Sequence, residues 1–74
     1  MDKKIVKYLI GKSERTDISI VQMLADDLTP KEIAGKIFLS VRTVETRIFK
    51  LRQTFECRSV RGLIVLFFRE GLIK

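Results

Sequence analysis

A chain of 74 residues with 46% hydrophobic and 32% charged side chains, one Pro and four Gly has the composition of a single folded unit, too short for two domains. The longest apolar run, Leu63 to Phe68, falls far short of the ~20 residues that cross a bilayer. The basic N-terminus carries only two-residue apolar pieces, so it makes a poor signal peptide, and a cytoplasmic setting is expected. With no His, a lone Cys57 and no Gly-rich phosphate loop, neither a metal centre nor acid–base catalysis has its usual residues. The sequence therefore predicts no catalytic residues, no cofactor, no small-molecule ligand and no enzyme.

The net charge of +6 is unevenly spread. Residues 13 to 39 hold three basic and five acidic side chains, whereas residues 40 to 61 hold six basic and two acidic. A cationic stretch of that kind is the footprint of a nucleic-acid partner, although charge runs also serve as plain solvated faces.

Residues 1 to 12 form a basic N-terminal extension or linker, and the folded domain is expected over 13 to 74. The first helical pattern begins with Ser13 as a candidate cap. Asp17, Ile20, Val21 and Leu24 then recur at i, i+3, i+4 and i+7, an inward stripe with an acidic lead-in. Asp26 and Asp27 are residues that tolerate the left-handed backbone ending a helix.

The second helix starts at Thr29, with Pro30 at its first position and Glu32 placed to complete a capping box. Ile33, Ala34 and Ile37 make its inner face. Gly35 marks either a close backbone approach or a short helix.

Ser40 caps a third helix only three residues after Ile37. Val44, Ile48, Leu51 and Phe55 form its narrow apolar stripe; Arg42, Glu45, Thr46, Phe49 and Gln53 lie opposite, flanked by Arg47, Lys50 and Arg52. Two helices joined by Phe38, Leu39 and Ser40 must turn sharply, with Leu39 filling the corner. That is a helix-turn-helix, whose second helix is free to enter a major groove. Arg42, Glu45, Thr46 and Phe49 are the candidate base-contacting residues. Lys31, Ser40, Thr43, Arg47, Lys50 and Arg52 are the candidates for the DNA backbone.

The fourth helix runs from Val60 to about Glu70, capped by Ser59 and closed by Gly71. Leu63, Ile64, Phe67 and Phe68 make one arc, with Val65 and Leu66 to either side. So wide an apolar surface calls for a cover: either a second copy, through Val65, Leu66, Phe68 and Arg69, or residues 1 to 12 folding back with Ile5, Val6, Leu9 and Ile10. Cys57 reads as a small buried hydrophobe.

The stretch "LTPKEIAGKIFLSVRTVETRIFKLRQTF" followed by "REGLI" resembles the LuxR/GerE family of bacterial helix-turn-helix domains over about residues 13 to 73. The resemblance is carried by Lys31, Glu32, Ile33 and Ala34 in the family's "KEIA" element, Leu39 and Ser40 in its "IS" element, and Thr43 with Val44 in its "TV" pair. It implies an all-α, compact four-helix domain whose third helix reads double-stranded DNA and whose fourth pairs two copies on a two-fold related site. Transcriptional control is implied too, often as the output half of a response regulator, with RNA polymerase as a further contact. This chain has Glu45 where the family usually has Lys, Arg47 for its His, Asp27 for its Gly, Val60 for an Arg, and Phe49 at an often polar position. Glu45 suits cytosine N4 and Phe49 a thymine methyl, so base reading survives these changes. The competing readings are a protein-interaction module on the same fold and the promoter-binding tail of a sigma factor.

Overall fold

The computed structural model describes Lys7, Tyr8 and residues 14–74. Lys7 and Tyr8 are helical, and residues 14–74 hold four helices and no strand: α1 (Glu14–Ala25), α2 (Pro30–Ile37), α3 (Val41–Thr54) and α4 (Val60–Arg69). The Cα radius of gyration, 11.4 Å, is close to the ~11 Å expected for a compact chain of this length.

Local chemistry sets the helix starts. Thr29 and Glu32 form the expected capping box: the Glu32 N–H donates to Thr29 Oγ1 at 3.2 Å, and the Thr29 N–H donates to Glu32 Oε1 at 3.0 Å. Two backbone donors that would otherwise lack partners are thereby satisfied. Ser40 accepts the Thr43 N–H at 3.0 Å, and Ser59 accepts the Gly62 N–H at 3.1 Å. Ser13 lies outside the described residues.

The helix ends share one device. Asp27, Phe38, Glu56 and Gly71 follow α1 to α4 with φ of 68°, 58°, 56° and 75°. Each left-handed residue turns the next N–H back on the helix: Leu28 to Met23 O at 3.0 Å, Leu39 to Ala34 O at 3.2 Å, Cys57 to Arg52 O at 2.8 Å and Leu72 to Phe67 O at 2.9 Å. This is the Schellman arrangement, which favours Gly because a Cβ crowds the following carbonyl. Only the last of the four positions has one.

Packing divides about α1. Ile20 joins Ile33, Ala34, Val44 and Ile48 in a cluster beneath the helix-turn-helix. Its neighbour Val21 joins Leu51, Phe55, Leu63, Phe67 and Ile73 in a second cluster. Adjacent residues on a helix point about 100° apart, so one central strut feeds both cores. The stripe Val44, Ile48, Leu51 and Phe55 is buried as its spacing predicts, and Leu39 packs against the first cluster. Tyr8, from the segment expected to be an extension, stacks edge-on against Phe55 at 5.3 Å and tilts over Phe67 at 5.9 Å. Ile5, Val6, Leu9 and Ile10 lie outside the described residues.

Phe68, one of the residues expected at a dimer face, is 64% exposed, because Leu63 and Phe67 already fill the seat against α1 and α3. Gly35 meets no close backbone; a Cβ built on it touches nothing within 4 Å, and α2 is simply short, at eight residues. Cys57 is half-buried against the second cluster rather than fully enclosed. At the other end, Gln22 clamps the backbone of Lys74: its Nε2 donates to the Lys74 carbonyl at 3.2 Å while its Oε1 accepts the Lys74 N–H at 2.8 Å. The clamp seats Ile73 in the core.

Candidate nucleic-acid interface

The turn at Phe38–Ser40 is set from both sides, by the left-handed Phe38 ending α2 and by the Ser40 cap starting α3. With its apolar stripe sunk into both clusters, α3 shows its other face to solvent. Arg42, Glu45, Thr46, Phe49, Lys50 and Gln53 are all exposed, as are Lys31 and Ser40 on the approach. The candidate base-contacting residues Arg42, Glu45, Thr46 and Phe49 therefore share one open surface. The Phe49 ring is 55% exposed beside a cleft of about 400 Å³ lined by Leu24, Pro30, Ile48 and Val60.

Ser40 and Thr43 act as a pair. Ser40 Oγ accepts the Thr43 N–H and donates its own hydrogen to Thr43 Oγ1 at 2.8 Å, which leaves the Thr43 hydroxyl hydrogen for a further acceptor. A hydroxyl donor beside the first turn of a helix, where backbone N–H groups gather partial positive charge, is suited to an anion.

Two of the candidate phosphate contacts are engaged elsewhere. Arg47 turns inward, its Nη1 3.2 Å from Asp17 Oδ1. It stands on the shoulder of α3 that faces α1, where the one buried charged residue among those described, Asp17, draws it in. Arg52 is half-buried, its Nη2 donating to the Arg58 carbonyl. Its placement follows from the αL turn at Glu56, which folds the chain back beneath it. In the expected dimer face, Val65 (44% exposed), Phe68 and Arg69 are open, while Leu66 is half-buried against the second cluster.

The remaining polar chemistry is structural. Glu32 is held below its ordinary carboxylate pKa by the Thr29 backbone N–H it accepts. Burial pushes the Cys57 thiol up against the opposing pull of Arg52, which keeps it protonated and unreactive at neutral pH. Among the described residues no three His, Cys, Asp or Glu side chains gather into a metal site, and no helix is long and apolar enough to cross a membrane.

A short helix, a tight turn and a longer helix exposing Arg42, Thr46 and Lys50 define a helix-turn-helix domain of the DNA-binding class. Residues 13–67 match the sequence model of the bacterial regulatory proteins of the luxR family (GerE), and the chain belongs to that family. Comparison with curated proteins gives no match. The family's domain is a DNA-binding one of transcriptional regulation and is not typically enzymatic.

Asp17 sits at the head of an otherwise apolar inward stripe, so the sequence does signal that its carboxylate needs a cation. Which of the fifteen Lys and Arg residues supplies it depends on how α1 and α3 pack, and periodicity carries no such information.

Proposed function

We propose that this domain binds double-stranded DNA sequence-specifically, with the N-terminal half of α3 in the major groove, and regulates transcription. Arg42, Glu45, Thr46 and Phe49 face base edges; Lys31, Lys50 and the Ser40–Thr43 pair hold phosphates. A homodimer paired through Val65, Phe68 and Arg69 of α4 places two such helices on a two-fold related site, in a cytoplasmic regulator that contacts RNA polymerase. The observation carrying this reading is the division of α3 into a stripe sunk in the core and an opposite face that is open along its whole length.

Selection of bound sites from a random duplex pool tests it. A palindromic consensus is the expected outcome. Binding of a random duplex should fall steeply with salt, with a log–log slope of about −3.6 if four phosphates are neutralised per domain. Arg42→Ala should relax preference at one base pair by about 1–3 kcal/mol, whereas Lys50→Ala should weaken all sequences alike. A chain that binds no duplex at low salt, or binds it without salt dependence, refutes the proposal and leaves the protein-interaction reading.

A further inference from the structure

Asp17 is the buried charge for which DNA binding has no direct use. It lies on α1, 8% exposed, with its carboxylate against Arg47 of α3 thirty residues away. A carboxylate shut away from water needs a charged or hydrogen-bonded partner, so the pair holds both side chains in place. Arg47 is otherwise well placed for DNA. It follows Thr43 by four residues and precedes Lys50 by three, which puts it on the same flank of α3 as two groups assigned to phosphates. The Asp17–Arg47 contact is thus a tie across the helix pair at the edge of the reading surface.

We infer that Asp17 is a specificity-determining positioning residue: it withdraws Arg47 from the phosphate contacts and uses it to fix the roll of α3 about its own axis. The inference rests on the DNA-binding reading above. Side-chain tips lie about 5–6 Å from a helix axis, so a roll of about 20° moves Arg42 and Thr46 by about 2 Å. A recognition contact tolerates about 0.5 Å. An ion pair on the shoulder of α3, off the line of the buried apolar stripe, adds to the resistance that the stripe's packing offers to that roll. Withdrawal of Arg47 also removes one sequence-blind contact, which widens the gap between specific and non-specific binding.

The test uses the whole chain, a random-sequence duplex and the duplex selected above, with binding titrated against salt and folding followed by thermal melting. Asp17→Asn keeps the side-chain shape but releases Arg47. Its slope on random DNA should steepen by about 0.9 per domain, its affinity for random DNA at low salt should rise, and the ratio of specific to random affinity should fall several-fold. Asp17→Glu, which restores a carboxylate, should return the wild-type slope. Arg47→Gln, at a half-exposed position, should leave the slope on random DNA unchanged and still lower the ratio. The double variant Asp17→Asn/Arg47→Gln should combine a wild-type slope with a lowered ratio.

A flatter slope for Arg47→Gln would overturn the inference, since Arg47 would then already be on a phosphate. So would an Asp17→Asn protein that folds with the wild-type slope and loses affinity for both duplexes by one common factor, the mark of a plain structural tie. Failure of the wild-type chain to bind either duplex is a distinct result, and it sinks the DNA-binding reading itself.

Discussion

Replacing Phe38 by glycine should raise the melting temperature of this domain, although it deletes an aromatic ring. Phe38 ends α2 at φ 58° and ψ 40°, the left-handed region, where an L side chain crowds the following carbonyl at a cost of about 1–2 kcal/mol. The ring recovers little of that, being 93% exposed. Glycine removes the crowding but loses about 0.5–1 kcal/mol through its greater freedom in the unfolded chain. The net gain is about 0.5–1 kcal/mol, which for a domain of this size is a rise of about 2–8 °C. Phe38→Ala is the control, because it deletes the ring and keeps the Cβ in the same strained backbone; it should stay within about 0.5 kcal/mol of wild type. Thermal melts followed by circular dichroism without DNA measure all three proteins. If glycine lowered the midpoint, or if Ala and Gly raised it equally, the argument from backbone strain would be wrong: the first result would give the ring a role in packing, the second would make the exposed ring itself unfavourable.

Gly35→Ala, at an exposed interior position of α2 with nothing within 4 Å of the new methyl, should stabilise by about 0.8–1 kcal/mol in the same melts. Glu32→Gln tests the charged half of the capping box. Because the folded carboxylate titrates below its ordinary 4.5, its contribution is full above that value and is lost as pH falls through the lower folded one. The wild-type advantage in denaturation midpoint should therefore hold at neutral pH and close in acid, and an advantage independent of pH would contradict the assignment. Val65→Gln should abolish self-association in sedimentation equilibrium while leaving the melting temperature nearly unchanged, since that side chain faces solvent. Arg69 and Arg61 are exposed on the same helix, so pairing by this face brings like charges together and should strengthen with added salt, opposite in sign to DNA binding.

Much of this architecture could be read before any coordinates, for a physical reason that also explains the omissions. Caps and apolar stripes are encoded by residues three or four apart, so Thr29 with Glu32, Ser40, Ser59 and the stripe from Val44 to Phe55 all declare themselves. Asp27, standing where the family usually has Gly, does adopt the left-handed turn its short polar side chain tolerates. Phe38 and Glu56 adopt it too, and nothing local marks them; the tight connections of α2 to α3 and α3 to α4 impose it. Phe68, expected at a dimer face, does stand outward; its hydrophobicity matches that of Phe67, and only the limited room between α1, α3 and α4 decides which ring is enclosed. At the interface, exposure of Arg42, Thr46 and Lys50 follows from the stripe behind them, whereas the diversion of Arg47 to Asp17 depends on a contact between distant segments.

The amide of Gln22 behaves like a strip of neighbouring strand, offering one donor and one acceptor to the peptide of Lys74. Any polypeptide attached beyond that residue, natural or an affinity tag, departs from a fixed point on α1 in a fixed initial direction. A fusion there should hold its partner at a defined bearing from the domain, while trimming the last two residues would remove Ile73 and open the aromatic core to water.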